Sequence, residues 1–234
     1  MTGVDPWGTG QWTGRAEPLP TWPEDAARTV KEWAGKAHQW AVATTIDAIR
    51  DILGHPENVM AIATTWSPDA SRFISDAKEG ISSAKTDLKA YWEGTAFDAF
   101  NTYIDEVGKT IDATYKVMTD MSDHVLEMRK LITDTYKSAI EFIGRCAASI
   151  YEEAGSVAQN LKNIWGGVCA AILRALATFL REYTDMMSKA ATTMTEYQTK
   201  GALLQRRASE LRIPDPLPAS VAEPGNWRVR KAAG

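Results

Sequence analysis

The sequence predicts an all-α fold, an elongated helical bundle built on a long antiparallel helical hairpin with a W-x-G turn. Three observations carry that expectation. Apolar residues recur at alternating steps of three and four over most of the chain, the spacing of one helix face. No proline occurs between Pro68 and Pro214, so no ring forces a helix to stop there. The longest stripe is interrupted at Tyr91-Trp92-Glu93-Gly94-Thr95, with space only for a tight turn. Of the 234 residues, 44% are hydrophobic and 24% charged, enough to close a core and too apolar for global disorder.

Residues 1–20 hold Trp7, Trp12 and several Gly and Pro without periodicity, and read as a flexible N-terminal arm. Thr21 with Glu24 three residues later gives a capping-box pattern, and Pro23 suits a first helical turn. Val30, Trp33, Ala37, Trp40 and Thr44, continued by Ile49, Ile52 and Leu53, predict one helix over 24–53. Gly54 and Pro56 end it. A helical piece over 57–66 places Val59, Ile62 and Trp66 on one side, and Ser67-Pro68-Asp69 restarts or kinks the chain. Ile74, Ala77, Ile81, Ala84, Leu88 and Tyr91 then form a heptad stripe.

After Gly94, Thr95 can cap the next helix, with Asp98 three residues on. Its stripe runs Phe97, Phe100, Ile104, Val107, Ile111, Thr114, Met118, Met121, Val125, Met128, Ile132, Thr135, Ala139, Phe142 and Cys146. A period near 3.5 sustained that long predicts coiled-coil-like packing. Breaks are expected at Gly155 or Gly166-Gly167, followed by a further helical stripe from Val157 to Ala190 that fades near Leu211. The bundle thus spans 21–212, with the hairpin over 57–140. Pro214, Pro216, Pro218 and Pro224 mark 213–234 as a disordered Pro-rich tail.

Composition narrows function mostly by exclusion. The net charge of -4 and the lack of a basic run argue against nucleic acid. No charged segment followed by an apolar one opens the chain, so no general secretory signal is read there, and no apolar run is long enough to span a membrane. His38, His55 and His124 lie far apart, and Cys146 and Cys169 lack a nearby His, so neither a metal nor another cofactor is expected. On one continuous helix the cysteines would sit about 35 Å apart, too far for a disulfide. Asp105 with Glu106 and Glu152 with Glu153 diverge around a helix and read as a solvated face. No nucleophile, phosphate-loop or dinucleotide motif is present, no residue is nominated as catalytic, and the expected protein is not an enzyme.

Four W-x-G tripeptides occur: Trp12-Thr13-Gly14, Trp33-Ala34-Gly35, Trp92-Glu93-Gly94 and Trp165-Gly166-Gly167. Only the third has heptad helices on both sides, with Ala96 and Phe100 following. In that context the chain resembles the WXG superfamily, helical-hairpin substrates of type VII secretion in Gram-positive and especially actinobacterial cells. The likeness covers roughly residues 57–140. Trp92, Gly94, Ala96 and Phe100 fit the family's motif, which implies that Trp92 and Gly94 set the turn and that this tip meets a partner; Tyr91 and Phe97 are expected to hold the tip together with Phe100. Trp66 falls where the family often has a Trp in its first helix. The implied partners are another helical hairpin or a second copy as a dimer, together with the secretion machinery.

The chain departs from the family in two ways. The Tyr-x-x-x-Asp/Glu export signal is missing: Tyr115, Tyr136, Tyr151, Tyr183 and Tyr197 are followed four residues later by Thr119, Ile140, Gly155, Met187 and Gly201. The chain is also more than twice a minimal hairpin. Export by a signal-peptide-independent route to the medium or cell surface, from a cytoplasmic start, would then need a partner that carries the signal.

Two other readings stay open. The stretch from Val168 to Leu180 is apolar nearly all round, and Val168, Ile172, Leu173, Leu176 and Phe179 would form the lipid-contacting segment of a membrane-active helical toxin. The same pattern fits a central helix covered by neighbours, and its length is short for a span. The other reading is a coiled-coil scaffold that is not secreted.

Overall fold

In a computed structural model of the chain, residues 20–52, 59, 63, 66, 70–157 and 165–230 are described. Five α-helices dominate these residues: α1 Glu24–Lys36, α2 Trp40–Ile52, α3 Ala70–Tyr91, α4 Thr95–Val157 and α5 Trp165–Ser209. The all-α expectation holds at that level. Of the expected piece over 57–66, Val59 and Ala63 are helical and Trp66 lies in a π-turn, while the rest falls outside the described residues, as does the arm over 1–19.

The helix expected over 24–53 is two helices. α1 ends in a left-handed turn: His38 has φ 56°, and Gln39 donates its N–H to the Ala34 carbonyl at 2.8 Å. That pattern closes a helix by satisfying its last carbonyls. The turn folds α2 back along α1, and Lys31–Asp47 at 2.7 Å and Arg50–Glu24 at 3.7 Å bridge the pair. It also changes the phase of the apolar face. Val30, Ala34, Val42, Ile46 and Ile49 are buried, whereas Trp40, placed on the inner stripe by periodicity, is 66% exposed. The capping box is not made either: Pro23 takes the cap position without a side-chain bond, and Glu24 and Asp25 favour the start through their charge.

α4 is the axis of the molecule, 63 residues and about 95 Å long. α5 runs back along it, and the ion pairs Arg145–Glu182, Lys200–Glu127 and Arg207–Asp120 mark successive steps of one antiparallel register. α4 ends at Val157 and α5 begins at Trp165, so Gly155 stays inside α4 and Gly166-Gly167 fall in the first turn of α5. α3 lies against the beginning of α4, bridged by Lys85–Asp105 and Lys78–Asp112.

The core sits at one end. Ala27, Val30 and Ala34 of α1 meet Val42, Ile46 and Ile49 of α2, Tyr136 to Ile150 of α4, and Ile172, Leu176 and Phe179 of α5. There α4 buries Tyr136, Ala139, Ile143, Cys146, Ala147 and Ile150, a face wider than the predicted stripe because helices cover it from several sides. Nearer its start, stripe residues from Phe100 to Ile132 are half-buried.

The predicted stripe of α3 is divided. Ile74, Ile81 and Leu88 turn partly inward together with Lys78 and Lys85, while Ala77, Ala84 and Tyr91 are exposed. The cause is that α3 packs chiefly on one helix, so its covered face is narrower than a heptad seam.

Residues 213–230, expected from sequence to form a disordered tail, are placed along the body. After α5 the chain continues along α4, with the Thr110 hydroxyl donating to the Arg212 carbonyl at 3.1 Å. Short 3-10 turns follow at Ala219–Ala222 and Pro224–Asn226, then strand β2, Arg228–Val229. It pairs antiparallel with strand β1, Trp92–Glu93. Main-chain pairing and a Trp side chain hold what proline content alone suggested was loose.

Candidate functional site

The W-x-G segment lies between α3 and α4, at the opposite end of α4 from the core. Trp92 and Glu93 are extended, and Gly94 has φ +109°, a conformation that an L side chain rarely adopts. Gly94, rather than Thr95, caps α4: its carbonyl accepts the Asp98 N–H at 3.0 Å. Asp98 adds an acidic group to the first turn, where the helix dipole favours it.

The tip is covered by the chain's own C-terminal segment. Trp92 pairs with Val229 and Glu93 with Arg228. The Arg230 N–H donates to the Tyr91 carbonyl at 2.8 Å. The Trp227 ring stands edge-on to Trp92, centroids 5.7 Å apart, and tilts against Phe100 at 6.3 Å. Such aromatic contacts contribute about 0.5–1.5 kcal/mol each beyond burial. A methyl group on Gly94 would sit 2.8 Å from the Asn226 carbonyl oxygen, so glycine is required there by space as well as by φ. Arg230 approaches Glu93 at 4.0 Å in an exposed pair.

The residues singled out in sequence thus separate. Ala96 and Phe97 are buried, at 1% and 5% exposure. Trp92 and Phe100 are half-buried beneath Trp227. Tyr91 contributes its carbonyl, while its ring is 68% exposed. Sequence reasoning missed Asn226, Trp227, Arg228 and Val229. The available signal was Trp227 itself, since chains that stay disordered are poor in aromatics.

The other candidate segment falls in the core end. Ile172, Leu176 and Phe179 are buried among α1, α2 and α4, Leu173 faces outward, and Val168 lies in the first turns of α5. No helix among the described residues is long and apolar enough to cross a membrane.

Among the described residues no group of His, Cys, Asp and Glu could hold a metal ion. A groove of about 370 Å³ between α4 and α5 is lined by Arg145, Cys146 and Glu182 among others. Arg145 is paired with Glu182 at 2.9 Å, and burial, with the nearby Glu182 carboxylate, pushes the Cys146 thiol up to about 12. A thiol held protonated in this way is a poor nucleophile and a poor metal ligand.

No protein-family model, curated protein or solved structure matches this chain.

Proposed function

We propose that α3, the Trp92-Glu93-Gly94 turn and the start of α4 form the hairpin of a WXG-like protein. It serves a type VII secretion system, as a substrate or a secretion-associated protein, and acts by helix-to-helix association rather than catalysis. The observation that carries this reading is the uncovered face of α3. Phe73, Ala77, Gly80, Ala84 and Tyr91 follow one another at helical spacing on its outer side, and no described side chain of α3 is buried. Phe73 is 74% exposed. Small residues between two aromatics offer a seam for a second helical hairpin, from a WXG-like partner or another copy. The glycine-dependent turn and the aromatic tip lie at the end of that seam.

The chain lacks the Tyr-x-x-x-Asp/Glu signal, so the partner supplies it and the pair leaves the cytoplasm together. A pore-forming role would require Ile172, Leu176 and Phe179 to leave the core, at about 1.5–3 kcal/mol for each apolar side chain exposed. It is the weaker reading.

Secretion from an actinobacterial host with and without its type VII ATPase tests the proposal. The chain is expected in the medium only when the ATPase is intact. Trp92→Ala, which unsettles the tip at the end of the seam, should weaken partner association and reduce export. Leu88→Met should leave both unchanged. Equal amounts in the medium of both strains would overturn the reading.

A further inference from the structure

The tip holds a segment of its own chain as a groove holds a peptide. The main chain supplies the ladder, Trp92 with Val229 and Glu93 with Arg228, extended by the Arg230 N–H to the Tyr91 carbonyl. Trp92 and Phe100 receive the Trp227 ring. The bare Cα of Gly94 admits the Asn226 carbonyl. Glu93 offers a carboxylate to Arg230. Together these features select an Asn at the end of a tight turn, then an extended Trp-Arg-Val sequence followed by a basic residue.

The segment is shaped for this seat by its own bonds. Asn226 Nδ2 donates to the Ser220 carbonyl at 2.9 Å and to Glu223 Oε2 at 3.1 Å. Trp227 Nε1 donates to the Val221 carbonyl at 2.7 Å. Its grip on the body is nevertheless slight. No residue from 211 to 230 is buried, and a ladder of two short strands is marginal by itself. Strand addition of this kind takes affinity from main-chain bonds and selectivity from side-chain seats.

We propose that the tip is a strand-accepting groove, filled in cis by residues 219–230, that takes the same segment from a second copy of this chain once the cis segment is released. The identical sequence fits the identical seat, so the second copy is the occupant whose complementarity is already displayed. A short tether gives the cis segment an effective concentration on the order of millimolar, and the cis form prevails at ordinary protein concentrations. The proposal uses the same tip as the secretion reading but stands on the strand pairing and the side-chain seats beside it. ATPase-dependent export of the chain would survive its failure.

A full-length chain carrying Trp227→Ala and Arg230→Pro lacks the ring and the N–H that seat the segment. A fluorescent peptide of residues 218–230 is titrated onto it and onto the unaltered chain, read by anisotropy, with helix content followed by circular dichroism. Saturable binding is expected on the released variant, and at least about tenfold weaker binding on the unaltered chain, where the tethered segment competes. Adding Gly94→Ala to the released variant should abolish binding. Arg230→Pro alone takes its place if the double variant loses helix content. No saturable binding to the helical released chain, equal binding to the unaltered chain, or binding indifferent to Gly94→Ala would each overturn the proposal.

Discussion

At one end of α4, helices α1, α2 and α5 close around Ile143, Ile150, Leu176 and Phe179, all essentially inaccessible to water. At the other, α3 and a two-residue strand close around Trp92 and Phe100, which stay half-buried. The same helix runs through both, with the same three-four spacing of apolar residues. The difference lies in the company. Where α4 is surrounded, its buried face spreads from a stripe to a broad band and the hydrophobic effect dominates. Where it is flanked by one helix and a strap, ring contacts, a few main-chain bonds and one glycine conformation must hold the chain. The first arrangement suits stability. The second suits exchange, because regions with few buried contacts open at lower free energy.

Substitutions should separate the two ends. Phe179→Ala, which empties a fully buried site, should cost about 3–5 kcal/mol and lower the denaturant midpoint of the whole molecule. Gly94→Ala should cost about 1–3 kcal/mol of backbone strain, felt at the tip. Amide exchange at Arg230, whose N–H meets the Tyr91 carbonyl, should accelerate while the Ile143 amide stays protected. Equal acceleration at both ends would show one cooperative unit and erase the contrast.

Cys146 sharpens the comparison chemically. Its thiol is raised from 9.0 to about 12 by burial, so the folded state keeps its proton where the unfolded state has lost it. Stability therefore falls as pH rises above 9.0 toward about 12. Alkylation of Cys146, followed by peptide mass spectrometry at pH 8, should be slow in the folded chain and fast after Phe179→Ala. It should be unchanged by Gly94→Ala.

The smallest effect is expected between the two ends. Burial first, then the neighbouring Asp120 and Glu127 charges, raise the Asp123 carboxyl above its ordinary value. The folded state thus binds that proton more tightly than the unfolded state does. Its ionisation is a liability at neutral pH that is relieved as pH falls through the raised value. Asp123→Asn should raise the thermal midpoint slightly at pH 7, with the gain vanishing in acid. A gain that persisted at low pH would assign the effect to something other than this titration.

Helix content, an interruption of the helix before Thr95 and the long run of α4 were legible in the sequence, because period, proline absence and glycine chemistry act over a few residues. The division of α1 from α2 was not. A left-handed residue at His38 carries no strong local signal, since the turn is stabilised by what α2 reaches when it folds back. The pairing of residues 228–229 with the W-x-G segment was hidden for a related reason. Proline content describes what a segment cannot do alone, and this segment pairs with an edge about 135 residues earlier in the chain.

The tip shows where sequence stops and tertiary structure takes over. The sequence by itself determined that Trp92-Glu93-Gly94 would break the helix and that aromatic residues would gather around the break, since both follow from local backbone and side-chain chemistry. Only the tertiary structure decided what covers that break. Strand pairing between β1 and β2 depends on the geometry by which α5 carries the C-terminal segment back along α4, and that long-range placement has no period to read.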